Sequence, residues 1–514
     1  MNRSYAFHKT VRGYNHGNRN LPTEDYSDSF SSEDGTYYMI AVADGHGSKS
    51  CFRSNRGSKF AVECAISALK KFADMYLESD NMKKQLAHNL ISNPRQRDQI
   101  IRQLTDSVIA EWYDKVQDDF SNDPPTHQAY VDAGIVRENE MRISEIAHIY
   151  GSTIMAALKI SDIYLLLQQG DGRCVIFYDD GRIEQPIPWD ERCVGSITTS
   201  LCDEDASVSM RSIVIDTNKN PIMACYLGSD GVENAYRDTY EALGESHGLM
   251  GGVHNFYRYL SCELTEKGEQ CFVSFLDHFL EEFSRDGKFS RSGSGDDISV
   301  AGIVDVERIR SFVHNYRKDN EIYKLEEDLF WCEEQIRSMS RKHGILLKRR
   351  NDEQRKKEEL EKELRGIQAE CQRLEGKKSE CDQIINSLSF INKMQLCGII
   401  DLNSRLDGCA WFRYKIQGLY KDIEFEMWNV VKNMRNQGKN KNEYDASLVN
   451  ERQNEVNKNE ELSCAEKRFK DADDEYREYD VKFKRLGTEK SEIEEKIRRL
   501  KNEGKPTIKF TQIG

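Results

Sequence analysis

The stretch YYMIAVADGHGSKS, Tyr37 to Ser50, carries seven mostly apolar residues that stop at Asp44, with glycine on both sides of His46. An isolated Asp-Gly is most often a turn, because Asp bonds its own backbone and Gly accepts a left-handed conformation. That explanation suffices for Asp180-Gly181, which joins two strand-like runs in CVIFYDDGRIEQPI as a tight hairpin. It does not suffice for Asp44. No returning strand follows; HGSKSCFRSNRGSKFAVECAISALKKF passes through a polar loop into an amphipathic helix, so Asp44 sits at a strand exit. IYLLLQQGDGR ends in the same way at Asp171 and PIMACYLGSDGV at Asp230, and Asp296-Asp297 stands just before the strand-like ISVAGIV. Carboxylates gathered at strand ends, without compensating Lys or Arg, repel one another, and a divalent cation is the usual remedy. An all-oxygen donor set selects Mg²⁺ or Mn²⁺ over zinc or copper. Two such ions sharing a bridging Asp hold a water, lower its pKa and neutralise a phosphate attacked in line, so the chemistry suggested is hydrolysis of a phosphate ester.

The elements that must present these residues occupy the first part of a 514-residue chain, too long for one hydrophobic core. Residues 1–305 carry 30 Lys+Arg against 47 Asp+Glu, whereas 306–514 carry 44 against 41, so the chain joins an acidic domain to a near-neutral, highly charged one. An acidic first domain argues against nucleic-acid binding there, and a net +3 over the remaining 209 residues is a weak footprint for it. Fourteen cysteines with no C-x-x-C pair read as reduced thiols of a cytoplasmic protein. No apolar run approaches the roughly 18 residues of a membrane span, and MNRSYAFHKT has no signal core. Residues 66–150 read as amphipathic helices with an acidic loop, DDFSNDPPTHQ, and CVGSITTSLCDEDAS, Cys193 to Ser207, as a flap beside the cleft.

From Ile322 to Leu388, twenty positions follow strict three-four spacing and fifteen are apolar, Leu325, Leu329, Ile336, Leu360 and Leu364 among them. A helix of that length is about 100 Å long. A second seam runs from Leu462 to Leu500 with only Lys490 polar. These are two coiled-coil limbs, 306–388 and 444–503, around a tip and loop at 389–443, with a tail at 504–514. An antiparallel hairpin is the preferred geometry and a parallel dimer its rival. Arg350, Glu353 and Lys357 interrupt the first seam and predict a loosened, solvated stretch; Trp411, Phe412, Tyr414 and Trp428 predict a tip core or a docking surface.

In order along residues 1–305, TED (Thr23 to Asp25), VADGHG (Val42 to Gly47), GST (Gly151 to Thr153), GDGR (Gly170 to Arg173), GSDGV (Gly228 to Val232) and GDDISVAGIV (Gly295 to Val304) resemble the metal-dependent serine/threonine protein phosphatases of the type 2C class. The resemblance implies an α+β fold, a four-layer α-β-β-α sandwich of two antiparallel sheets flanked by helices, with the metals in a cleft at one end. It implies that Asp44 bridges two ions, that Asp230 and Asp296 complete one ion's protein ligands, and that the Gly45 carbonyl and Glu24 serve the other. Asp25 would support this shell, Asp171 would help hold a weaker third ion, and His46 would be the general acid. Taken alone, Asp25 also suits a cap, Asp171 a turn and His46 a loop. One departure concerns the substrate: where the family places a phosphate-binding Arg there is Asn20, and its neighbour Arg19, or else Arg12, must take the role.

The expected function is hydrolysis of phosphoserine or phosphothreonine in proteins, opposing a serine/threonine kinase, with the coil targeting the enzyme to a partner or forming a homodimer. The alternative is a weakly active phosphatase-like scaffold or sensor that acts through its coil. A coiled-coil ATPase would need G-x-x-x-x-G-K-[ST], and GHGSKS has Ser48 where the second glycine belongs.

Overall fold

The structure, a computed structural model, describes residues 3–19, 21–135, 141–194, 197–236, 249–287, 293–387 and 441–503. The first elements are β1 (Tyr5–Val11), α1 (Tyr14–Arg19), β2 (Tyr26–Ser31), β3 (Tyr37–Ala43), α2 (Ser54–Leu77), α3 (Asp80–Ser92), α4 (Pro94–Asn122), α5 (His127–Asp132) and α6 (Ile143–Ile149). There follow β4 (Ile154–Ile160), β5 (Ile163–Gln169), β6 (Arg173–Tyr178), β7 (Ile183–Glu184), α7 (Ala206–Ser209), β8 (Arg211–Asp216), β9 (Ile222–Gly228) and α8 (Asp230–Asn234). The chain continues through α9 (Leu249–Asp286), which is interrupted at Gly268, then β10 (Ile298–Val304), α10 (Val306–Arg310), α11 (Val313–Ser387) and α12 (Lys441–Asn502).

The strands form two five-stranded sheets, β1-β10-β9-β6-β7 and β2-β3-β4-β5-β8, antiparallel at every pairing. All seven residues of β3 are buried, because both of its faces are covered. Tyr38, Ile40 and Val42 meet Met155, Ile176 and Leu227 between the sheets, while Met39, Ala41 and Ala43 pack against the helices of α2 to α6. A strand alternates its side chains between two faces, so two apolar faces require an unbroken apolar run. The second outer layer is built on the other sheet by α8, α9 and α10, with Phe256, Leu260, Phe283 and Ile309 in its core. This is the expected α-β-β-α sandwich. Fully burying one such side chain contributes about 1.5–3 kcal/mol, so the three apolar layers hold the strand ends in fixed register.

One detail of the sandwich differs from the reading of the sequence. DDFSN is not loop: α4 carries it to Asn122, because Asp119 and Asp123 serve as anchors for Arg53 and Arg56 of the loop and helix opposite. Asp180-Gly181 does turn the short β6-β7 hairpin.

The described residues fall into two compact units, those within 1–330 together with 496–514, and those within 331–495. In the second unit α11 and α12 run antiparallel, since partners fall along one helix as they rise along the other: Cys332 to Leu486, His343 to Asp480, Arg349 to Glu475, Lys357 to Glu466. The two limbs therefore pair within one chain. Arg350, Glu353 and Lys357 do not loosen the seam. Arg350 donates to Asp473 and stacks over Tyr476, Lys357 lies over Phe469, and Glu353 accepts from Lys356, so aliphatic stems cover the seam while charged ends pair at its edge. Trp411, Phe412, Tyr414 and Trp428 lie outside the described residues. Among these, no helix is long and apolar enough to cross a membrane.

Helix α2 reaches the sandwich by a backbone-to-backbone contact: a Cβ on Gly57 would stand 1.8 Å from the Tyr150 carbonyl oxygen, and the Gly57 carbonyl accepts from the buried Trp112 indole at 2.9 Å. Gly57→Ala should therefore cost at least about 2 kcal/mol, read as a lowered urea midpoint. Gly344→Ala, on an exposed turn of α11 with nothing within 4 Å of the new methyl, should instead stabilise the coil, by about 0.5–1 kcal/mol.

Candidate active site

One end of the sandwich opens into a cleft of about 610 Å³, and the strand-end residues all line it. Asp44 follows β3, Asp171 follows β5, Asp230 opens α8 directly after β9, and Asp296 and Asp297 precede β10. Glu24 and Asp25 precede β2. With Asp203 the wall holds eight carboxylates, and among the described residues it holds no Lys or Arg. The predicted Asp44, Gly45, His46, Glu24, Asp25, Asp171, Asp230 and Asp296 are thus brought together from separate segments of the chain.

Asp44 is placed through its backbone. Its N–H donates to Thr153 Oγ1 at 2.9 Å, and its carbonyl accepts from Thr153 N at 2.8 Å and Ser152 Oγ at 3.1 Å. His46 N donates to the Gly151 carbonyl at 3.1 Å, and a Cβ on Gly151 would run into the His46 ring at 2.5 Å. The GST segment therefore acts mechanically, its hydroxyls and missing side chain clamping the Asp-Gly-His turn and leaving the Asp44 carboxylate free for the cleft.

Asp297 works inward. It is 2% exposed; its Oδ1 accepts from Gly13 N at 2.6 Å and its Oδ2 from Glu24 N at 2.5 Å, tying the segment before β10 to those flanking α1. His16 Nδ1 lies 3.0 Å from Asp297 Oδ1, and its Nε2 lies 3.9 Å from Asp296 Oδ1. Asn234 Nδ2 donates to Asp230 Oδ2 at 3.1 Å and to Asp296 Oδ2 at 3.2 Å, so Asp230, Asn234 and Asp296 form one chain of contacts. Asp44 and Asp230 repel each other beside it. Behind α8, Glu233 pairs with Arg173, whose guanidinium stacks 3.9 Å from the Trp189 ring centroid. His16, Asn234 and the anchoring role of Asp297 were not legible beforehand; the polarity of NHGNRN was the only signal for His16.

The electrostatics are those of a site built for cations. Burial and then the neighbouring carboxylates push Glu24 and Asp230 up to about 7. The same causes raise Asp25 and Asp44 well above the carboxylate range. Asp296 is raised too, by burial first, although its side chain keeps 38% exposure and solvent moderates the effect. Asp25, 5% exposed, has an Oδ2 with no hydrogen-bond partner, a buried acceptor that a cation or its water would satisfy. Among the described residues no three His, Cys, Asp or Glu close into a metal cage by themselves. A small hard ion keeps several waters and needs only one or two carboxylates of its own, so the oxygen donors fit Mg²⁺ or Mn²⁺ and do not fit zinc.

His46 is half-buried; burial lowers its pKa while Asp203 and Asp171 oppose the shift. Arg19 is the last residue of α1, but its side chain, and Asn20, lie outside the described residues. Arg12 is not in the cleft wall: its guanidinium donates to the His16 carbonyl at 3.2 Å. Ile197, Thr198, Ser200 and Cys202 of the expected flap do line the cleft.

Fold and site together define a sandwich with an acidic, cation-seeking cleft. A family model described as protein phosphatase 2C matches residues 12–277, more than half of the chain, and the protein belongs to that family. No curated protein matches. Similar solved structures include a serine/threonine phosphatase from Staphylococcus aureus, 16% identical, covering 59% of this chain and 97% of its own, TM-score 0.29. A serine-threonine phosphatase 2C from Toxoplasma gondii is 13% identical over 59% of this chain and 94% of its own, TM-score 0.35. The catalytic domain of the phosphatase PstP, described in complex with two manganese ions, is 14% identical over 59% and 97%, TM-score 0.28.

Acids raised in the folded state bind protons that the unfolded chain has already released, so the metal-free protein loses stability as pH rises from about 4 to about 7. A cation that replaces those protons reverses the loss. Thermal melts with EDTA and with Mn²⁺ should show a larger Mn²⁺ increment near pH 7.5 than near pH 5; equal increments would mean that the carboxylates are not the ligands.

Proposed function

We propose that the protein hydrolyses phosphoserine and phosphothreonine in proteins. The single observation carrying this reading is the convergence of eight carboxylates, free of Lys and Arg among the described residues, on one cleft at the strand ends. Asp44 would bridge two ions, Asp230 and Asp296 would hold one, the Gly45 carbonyl and Glu24 the other, Asp25 would support them, and Asp171 would hold a third. Bound Mg²⁺ or Mn²⁺ supplies acidification of a water and neutralisation of the phosphate charge. His46, clamped against Gly151 at the cleft, gives a proton to the departing Ser or Thr oxygen; burial lowers its proton affinity, and Asp203 and Asp171 partly offset that. Thr153 and Ser152 keep Asp44 from turning away as charge shifts. We place the enzyme in the cytoplasm, opposing a serine/threonine kinase, with the coil targeting it to a partner. Support for the compartment is the ten cysteines whose side chains are described, all free thiols.

A second reading, a phosphatase-like scaffold of weak turnover, is favoured by a cleft wall that carries no Lys or Arg among the described residues: Asn20 stands at the family's Arg position and Arg12 is engaged elsewhere. Calorimetric Mn²⁺ binding without turnover of any phosphopeptide would select it.

Asp44→Asn should lower turnover of a phosphothreonine peptide by at least about a thousandfold, and EDTA should do the same to the wild type. His46→Gln should cost about a hundredfold on that peptide and little on p-nitrophenyl phosphate, whose leaving group needs no proton. Equal losses on both substrates would remove His46 from the acid role.

A further inference from the structure

Beyond the carboxylates, the cleft wall carries a second chemical group that the hydrolysis does not use: Cys51, Cys202 and His148. They come from three segments, the turn before α2, the loop before α7 and the last turn of α6. His148 Nε2 lies 3.1 Å from Ser50 Oγ and 3.9 Å from Cys51 Sγ, and Cys202 interacts electrostatically with the same imidazole from its place in the same wall. Cys51 is 2% exposed, Cys202 is half-exposed with its Sγ 3.2 Å from Ser200 Oγ, and His148 is open to solvent. A protonated imidazole between two sulfurs stabilises thiolate, the nucleophilic form of cysteine.

We propose that Cys51 and Cys202 are an oxidant-responsive thiol pair, held by His148 and converted by a peroxide into a disulfide across the cleft wall. Cys202, the more accessible sulfur, attacks one peroxide oxygen as thiolate; the O–O bond breaks, Cys202 becomes a sulfenic acid, and hydroxide leaves. The Cys51 thiolate attacks the Cys202 sulfur; the S–S bond forms as S–O breaks, and the departing hydroxide takes a proton to become water. Two thiols and one hydrogen peroxide give one disulfide and two waters. The electrostatics agree: burial works against the Cys51 thiolate, yet bonds from His148 and Ser48 hold the thiol below its ordinary value, while Cys202 and Cys51 push His148 up to about 10.

The test uses the full chain treated with hydrogen peroxide, blocked with an alkylating agent and cut with trypsin. The expected product joins SCFR (50–53) to CVGSITTSLCDEDASVSMR (193–211), with fragmentation placing the bridge at Cys202 and not at the buried Cys193. Cys202→Ser should abolish the product. Cys51→Ser should leave a Cys202 sulfenic acid that dimedone traps, and His148→Gln should slow cross-linking about tenfold. An unmodified Cys51 in the oxidised wild type, a bridge at Cys193, or an unchanged rate in His148→Gln would each overturn the proposal. The wild-type mapping needs no variant to fold, and none of these readouts depends on phosphatase turnover.

Discussion

Like charges held close together are the constraint on which the rest of this structure depends. Left to themselves, the carboxylates of the cleft would move apart, and the cost of burying them and keeping them together appears as the raised proton affinities of Glu24, Asp25, Asp44 and Asp230. They stay because each is bonded into backbone that has no room to shift. Thr153 and Ser152 grip Asp44 on both sides of its peptide, and Asp297 turns its own charge inward to the Gly13 and Glu24 amides. Those donors stand at the ends of strands locked by three apolar layers. The stability of the sandwich is what makes the repulsion sustainable, and the repulsion is what a divalent cation would relieve.

The second unit solves a different problem. The seam of its helices is only partly buried: Cys332, Leu346, Leu360, Ala465 and Ala472 lie inside, while Ile336, Met339, Phe483 and Leu486 are half-buried. Interhelical pairs such as Arg350 with Asp473 and Lys490 with Glu333 add direction to a narrow apolar contact, because each is satisfied only in the antiparallel register. Glu363 and Lys458 are buried as well, so register in this coil has a polar component that hydrophobic spacing does not report.

The cleft is built unevenly for the phosphate chemistry proposed. The expected acidic residues all converge on it, whereas Asn20 stands where the family places its phosphate-binding Arg, and the histidines His16, His46 and His148 are the basic side chains that the described residues bring to the wall. A histidine offers one charge and one or two donors where an arginine offers a fixed fork, so phosphate would be held more weakly and more dependently on bound cations.

Much of this organisation was legible in the linear chain. Apolar runs ending in Asp-Gly located the strand exits, because a strand buried on both faces must be continuously apolar and a ligand at its end must interrupt it abruptly. The order of short motifs named the fold, and three-four spacing located both helical limbs. What could not be read was which side chains stand beside which. His16, Asn234, the inward turn of Asp297 and the meeting of Cys51, His148 and Cys202 have no local pattern, since each depends on segments up to 284 positions apart, the separation of Gly13 from Asp297. The seam interruptions at Arg350 and Lys357 were misread for the same reason: their partners lie on the opposite limb. Composition and periodicity are properties of neighbours in sequence and determined the elements; distance, burial and the electrostatic field arise only when the sheets pack face to face, and the tertiary structure alone decided them.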